Sequence, residues 1–246
     1  MEEKVAFVTG GNRGLGLQTA LELKGKARVV IGSRDRARGE EALEKLKAAG
    51  VDAELLEFDV KDPVSQQAAY DYFDSKYGRL DILVNNAGVA AGKFPGTGPE
   101  HSAAEVEMEV LRRVFETNFF AVVALTQKLL PLIKKSAAGR IVNLSSILGS
   151  LGLHADPKSP IYHAKSFAYD ASKTALNAFT IHLAYELRET KIKVNSAHPG
   201  WVKTDMGGEQ APMELSDGAK TTISLATLGP EGPTGGYFHF RETLPW

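Results

Sequence analysis

Short, largely apolar runs alternate along this chain with stretches of helical length and pattern, and that alternation restricts the fold more than any other property. The runs Val5–Thr9, Arg28–Ser33, Ala53–Asp59, Leu80–Asn85, Arg140–Ser145 and Lys193–Ala197 have strand length. A sheet with one wet face would alternate apolar and polar residues, so runs without that period belong to strands covered on both sides. Strand and helix in alternation then predict an α/β fold, a doubly wound parallel sheet of about seven strands with helices on both faces. No internal repeat or low-complexity tract divides the 246 residues, so one domain over 1–246 is expected.

The totals narrow the chemistry. A net charge of -1 argues against nucleic acid or an anionic membrane as partner, since both call for a basic surplus, and small neutral molecules fit better. With no cysteine there is no disulfide, thiolate metal site or cysteine nucleophile. The six histidines show no metal-ligand spacing and read as structural or surface groups; no metal is expected. Met1-Glu2-Glu3-Lys4 runs directly into Val5-Ala6-Phe7-Val8 with no basic region or long apolar stretch, so neither export nor membrane insertion is expected and the cytoplasm is the default.

The first run ends in Thr9-Gly10-Gly11-Asn12-Arg13-Gly14-Leu15-Gly16, and a helix is expected to open at about Leu15. Gly10 permits a tight turn, Gly14 lets the backbone approach a pyrophosphate, and Gly16 allows helix and sheet to pack closely, while the helix N-terminus offers N–H donors to phosphate. In this context the segment reads as the dinucleotide loop of a Rossmann-type sheet, the alternative being a structural turn. Which dinucleotide it holds depends on the end of the second run. An acidic residue there would bond a free ribose and repel a 2′-phosphate, but Ser33-Arg34 stands in that place, and a guanidinium binds phosphate with charge-assisted bonds. Arg13 can add a second cation, so NADP(H) is favoured. Asp35 can be read as a ribose carboxylate, although its position suits a helix cap better.

Gly88–Pro99, Gly149–Pro160 and Pro199–Pro212 break the rhythm after expected strand ends, where open α/β sheets place their ligands. Substrate loops are therefore expected over about 88–99, 149–168 and 199–214, with solvated connections as the alternative. Further along, Tyr169 and Lys173 share one helix face in Tyr169-Asp170-Ala171-Ser172-Lys173. A free tyrosine titrates near about 10. A neighbouring cation favours the phenolate and is expected to move the group toward the operating pH, where it exchanges a proton with a substrate oxygen. Such a pair also arises by chance; the dinucleotide loop upstream is what makes carbonyl/alcohol chemistry the better reading.

Taken in order, Gly10 to Gly16, Asp59-Val60, Asn85-Asn86-Ala87-Gly88, Asn118, Ser145-Ser146, Tyr169 with Lys173, and Pro199-Gly200 resemble the short-chain dehydrogenase/reductase family over essentially the whole chain. Ser33-Arg34-Asp35, Pro199-Gly200-Trp201-Val202-Lys203-Thr204-Asp205-Met206 and Gly232-Pro233-Thr234-Gly235-Gly236 with Pro245-Trp246 look most like its NADPH-dependent carbonyl reductases. The resemblance implies that Asp59 bonds the adenine amine, that Asn86, Ala87 and Gly88 support the adenine ribose, and that Val202 and Thr204 hold the nicotinamide carboxamide. Asn12, Leu15, Val60, Pro199 and Gly200 fall with the cofactor on the same ground. It also implies that Ser146 polarises a substrate carbonyl, Tyr169 delivers a proton, Lys173 binds the nicotinamide ribose and lowers the phenol's pKa, and Asn118 anchors a water that relays protons. Plainer alternatives stand beside these: Asp59 as a helix cap before Lys61–Lys76, Asn86 as a tie between strands, Asn118 as a polar helix start. Ser145 is the structural neighbour, since strand alternation points it away from the side taken by Ser146.

The interval from Ser146 to Tyr169 is longer than in compact members of that family, the surplus lying in Leu153–Ala168. Within it Tyr162 has Ser166, not lysine, one turn on, which leaves Tyr169 as the only eligible acid. In the resembling reductases an extra segment here covers the helix face that other members use to dimerise, so a monomer is favoured over a homo-oligomer. Phe94, Leu148, Tyr162, Trp201, Met206 and Met213 suggest an apolar pocket for ketones and aldehydes, ordinary loop packing being the alternative. Gly207-Gly208 suggests a last loop able to close over substrate. The expected activity is NADPH-dependent reduction of a small-molecule carbonyl substrate. An oxidative alcohol or hydroxysteroid dehydrogenase is the alternative, and a dinucleotide-sensing regulator is disfavoured because Tyr169 and Lys173 are both present. Arg34→Ala is expected to shift preference from NADPH toward NADH through loss of about 1–3 kcal/mol of phosphate interaction; an unchanged ratio of kcat/KM for the two cofactors would count against the assignment.

Overall fold

The computed structural model describes residues 3–92 and 98–246. One sheet runs through it in the order β3-β2-β1-β4-β5-β6-β7-β8, built from β1 (Val5–Thr9), β2 (Arg28–Ser33), β3 (Ala53–Glu57), β4 (Ile82–Asn85), β5 (Arg140–Leu144), β6 (Lys193–Ala197), β7 (Tyr237–His239) and β8 (Glu242–Thr243). All pairings are parallel except β7 with β8. The helices are α1 (Gly14–Glu22), α2 (Arg36–Ala48), α3 (Pro63–Tyr77), α4 (Met108–Phe115), α5 (Ala121–Lys134), α6 (Leu151–Ala155), α7 (Phe167–Glu186) and α8 (Leu215–Ala226).

Both faces of the sheet are covered, as the unbroken apolar runs require. Val5, Phe7 and Val30 pack on one side with Phe73 of α3, Leu125 and Leu129 of α5 and Leu183 of α7. Ala6, Val8 and Ile31 pack on the other with Ala20 of α1, Leu46 of α2 and Leu225 of α8. Full burial of a leucine or phenylalanine contributes about 1.5–3 kcal/mol, so these two layers hold parallel strands together that share no local turn. Arg140 at the start of β5 is 1% exposed and donates to the carbonyls of Gly139, Lys191, Leu228 and Gly229, which ties the sheet's lower edge to the end of α8.

The structure corrects the sequence reading in several places. Among the described residues the sheet has eight strands, one more than the approximate count expected. The last two form a hairpin whose connection, Phe240-Arg241, carries a positive φ of 52° at Phe240, and the stretch shows no glycine or asparagine turn signal. The runs expected to reach Asp59 and Ser145 stop at Glu57 and Leu144, and β4 begins at Ile82, not Leu80. The helix expected from Lys61 begins at Pro63, and its cap is Asp62, whose carboxylate accepts from the N–H groups of Val64 and Ser65. The loop expected over 149–168 follows a 3₁₀ turn, Ile147–Gly149, contains α6, capped by the Ser150 hydroxyl on the Leu153 N–H, and runs into α7 from Phe167. The segment expected over 153–168 is closed by Lys165 Nζ on the His154 carbonyl and ends in the first residues of α7, where the Ser166 N–H donates to Asp170, while Ile181 (40% exposed) and Tyr185 (65% exposed) further along that helix are open.

Candidate functional site

Gly10–Gly16 leaves β1 and turns into α1 around an open trough. A Cβ on Gly16 would lie 2.3 Å from the Gly10 carbonyl oxygen, so the turn closes only with glycine there. Gly14 has φ +53°, and a Cβ on it would meet only the Thr204 methyl, at 3.9 Å, so backbone lies bare toward the trough. The N-terminus of α1 has no side-chain cap, which leaves its N–H donors for a ligand among the described residues. Asn12 and Leu15 flank this opening. The β4 end locks against the loop: Thr9 Oγ1 accepts from the N–H groups of Asn86 and Ala87, and the Asn86 amide donates to the Thr9 and Gly10 carbonyls. Asn86 therefore does act as the inter-strand tie.

At the other end of the trough, Ser33 is buried at the tip of β2 and its hydroxyl donates to the Asp35 carbonyl. Arg34 is exposed and holds no ion pair or hydrogen bond among the described residues. Asp35 caps α2 by accepting from the Arg38 N–H, as its position suggested. Arg13 is committed to an ion pair with Asp205, bridging the glycine-rich loop to the loop after β6. Asn12, Arg13, Arg38 and Lys45 line one open pocket there; Arg38 and Lys45 were given no role from sequence, since isolated charges at helical spacing carry no distinguishing signal. Asp59 Oδ1 accepts from the Lys61 N–H and the Asp59 N–H donates to Ser65 Oγ, while the Val60 carbonyl accepts from Gln66.

The group at the end of β5 comes together as expected. Lys173 is 5% exposed and its Nζ donates to the Leu144 carbonyl at 2.7 Å, tying α7 to the sheet. Nζ lies 5.6 Å from the Tyr169 ring centre, and the Ser146 side chain lies near enough to the Tyr169 phenol to lower its pKa. Ser145 points the other way, to Asn177 Oδ1 at 2.7 Å. A Cβ on Gly88 would lie 3.4 Å from Asn118 Oδ1 and 3.7 Å from Lys173 Nζ, so the segment after β4 closely approaches this group. Asn118 sits at 0% exposure in a single π turn, Glu116–Phe120, a feature common at functional sites. Its amide accepts from the Val89 N–H and donates to the Val89 carbonyl and Ser172 Oγ. The side chain is thus spent on protein partners, and it is not a polar helix start.

One electrostatic expectation is reversed. Burial pushes the Tyr169 phenol up to about 12, against the lowering effect of Ser146, and Asp170 raises it further. Burial also brings Lys173 down to about 8. The ammonium leans on the Leu144 carbonyl, and the phenol remains neutral throughout the neutral range.

The loop after β6 is closed on itself. Trp201 Nε1 donates to the Gly207 carbonyl, the Gly207 N–H to Thr204 Oγ1, and Val202 pairs with Met213. A Cβ on Gly207 would lie 2.1 Å from the Val202 carbonyl oxygen, so this glycine serves close packing and not a hinge. Pro199 and Gly200 connect that loop to β6. Leu148 is buried, Trp201 and Met206 are exposed, and Tyr162 turns toward Lys165, whose Nζ is 5.1 Å from its ring centre. Phe94 lies outside the described residues. Two residues that were given no role from sequence reach the site: Tyr237, whose hydroxyl donates to the Ser146 carbonyl, and His198, whose Nδ1 accepts from the Ile147 N–H at 3.1 Å.

A bare glycine backbone, an uncapped helix end, a guanidinium without a partner among the described residues and a buried lysine, all at the carboxyl ends of the parallel strands, fit a phosphorylated dinucleotide. Comparison with known proteins agrees. Residues 4–215 match the short chain dehydrogenase family model. The chain belongs to the short-chain dehydrogenase family. Carbonyl reductase 1 of Mus musculus, an NADPH enzyme by name, is 34% identical to this dehydrogenase over 281 aligned residues, covering 98% of both chains. Among solved structures, the NADPH-bound carbonyl reductase from chicken fatty liver superimposes with a TM-score of 0.83 at 27% identity over all of both chains. The carbonyl reductase Sniffer of D. melanogaster gives 0.83 at 29% identity, again over all of both chains.

Beside the group at β5 the dehydrogenase buries a carboxyl. Asp170, next to Tyr169, accepts from the Ser166 N–H at 2.8 Å and lies 3.4 Å from His154 Nε2, while Oδ1 has no partner among the described residues. His154 faces the Leu148 carbonyl with Nε2 and Lys165 with Nδ1, which suits the neutral ring that burial favours. Burial raises Asp170 from 3.8 to about 7, against the lowering effect of Ser166 and Lys165. The native state then keeps a proton that the unfolded chain releases, so Asp170 costs stability as pH rises from 4 to 7. Relative to Asp170→Asn, wild-type unfolding free energy should fall across that window by up to about 1.4 kcal/mol per pH unit. Denaturant titrations giving a constant difference would contradict the assignment.

Proposed function

We propose that this dehydrogenase reduces ketones and aldehydes with NADPH and that Tyr169 gives the proton. The observation that carries the proposal is the convergence of Ser146 and Tyr169 with the buried Lys173 ammonium, 5.6 Å from the phenol ring centre and tied to the end of β5. When bound, the reduced nicotinamide supplies a hydride to the carbonyl carbon. Negative charge then builds on the carbonyl oxygen, and hydroxyl donors from Ser146 and Tyr169 stabilise that charge more than they stabilise the ground-state carbonyl. Tyr169 completes the reduction by passing its proton to the oxygen. Lys173, charged below about pH 8, stands next to the phenolate that remains. Asn118 acts by position, fixing Val89 and Ser172 on either side of the site.

The raised phenol favours the reductive direction over alcohol oxidation, because reduction starts from neutral tyrosine and oxidation from the phenolate. The free Arg34 guanidinium with Ser33 supports a 2′-phosphate, as do the NADPH reductases among the relatives. Gly10, Gly14, Gly16 and Arg13 are read as the phosphate cradle, Asp59, Val60, Asn86, Ala87 and Gly88 as the adenosine wall, and Pro199, Gly200, Val202 and Thr204 as the carboxamide end. Following NADPH absorbance against a panel of ketones, aldehydes and quinones tests this directly. Consumption with several carbonyls is expected. Tight NADPH binding with no turnover on any of them would replace the proposal with the dinucleotide-sensing reading.

A further inference from the structure

Ser146 is held by its backbone as well as by its side chain. Its carbonyl accepts from the Gly149 N–H at 2.7 Å and from the Tyr237 hydroxyl. The next N–H, that of Ile147, donates to His198 Nδ1, and Leu148 N–H donates back to Ser146 Oγ at 3.3 Å. Tyr237 belongs to β7 and is fully buried, its ring stacked 5.4 Å from Trp246 at 20°. His198 follows β6, and its own carbonyl meets His239 Nδ1 at 3.0 Å. Tyr237 of β7 and His198 just after β6, neither of them a reacting group, therefore grip both the carbonyl and the N–H of the peptide that follows the serine.

We infer that Tyr237, together with His198, is a positioning residue for Ser146, setting where its hydroxyl stands relative to Tyr169. The inference rests on the proposed role of Ser146. Phenylalanine would fill the same stacked volume against Trp246, so the Tyr237 hydroxyl is not needed for packing, and its bond is directed at the Ser146 carbonyl. His198 can accept from Ile147 only through an unprotonated Nδ1, which places its proton on Nε2. Burial and His239 keep the ring neutral, holding His198 down to about 3. A shift of the serine backbone moves Oγ with it, and misplacing a catalytic group by about 1 Å costs on the order of 100-fold in rate.

A double-mutant cycle tests this at saturating NADPH, with cofactor affinity measured by fluorescence. Tyr237→Phe should lower kcat by about 10- to 100-fold with NADPH affinity unchanged, and should cause no further loss in a Ser146→Ala background. An equal loss in both backgrounds, or no loss in the first, overturns the inference. Ser146→Ala turning over at the wild-type rate would instead overturn the role of Ser146 itself. If Tyr237→Phe fails to fold, His198→Asn, which keeps an acceptor oxygen, should retain more kcat than His198→Leu. Equal losses in those two would likewise overturn it.

Discussion

The bond from Lys173 Nζ to the Leu144 carbonyl fixes the rest of the site. It is made by a buried ammonium, which is costly to leave unpaired, and it joins the middle of α7 to the last residue of β5. With that point set, Tyr169 one turn earlier meets Ser146, which lies two residues beyond the carbonyl. Thr174 Oγ1 on the Gly149 carbonyl and Ser145 Oγ on Asn177 Oδ1 repeat the tie on either side. The helix cannot rotate on the sheet without breaking all three.

The strand order reverses direction between β1 and β4, and there the connections leave toward opposite faces and open a crevice. The glycine-rich turn follows β1, Asn86–Gly88 follows β4, Ser146 follows β5 and Pro199-Gly200 follows β6, all at carboxyl ends. A parallel sheet delivers four chain-distant segments to one edge in this way. The polar ladder beneath them, Asn85 to Thr126 and Asn143, and Asn143 to Thr180, keeps those strand ends in register inside an apolar core.

Much of this was legible in the sequence. The bounds of β1, β2 and β6 follow from apolar runs, and the glycine-rich turn, Ser146, Tyr169 and Lys173 from their order along the chain. The remainder depends on contacts that no local pattern encodes. Tyr237 meets Ser146 across 91 positions, from a strand of three residues too short to show a period. The π turn at Asn118 continues two ordinary helices, so its helical spacing hides it. The phenol's shift was read with the wrong sign because spacing reports that Lys173 is near but not how deeply both groups are buried, and burial is the larger effect.

Held neutral by burial, the Tyr169 hydroxyl is proposed to give the proton that completes carbonyl reduction. Single-turnover oxidation of pre-bound NADPH by an accepted ketone, compared between wild type and a folded Tyr169→Phe variant, tests it most directly. Proton donation by Tyr169 requires the variant to bind NADPH as before while its chemical step slows by about 10²- to 10⁴-fold. An unchanged single-turnover rate would contradict it.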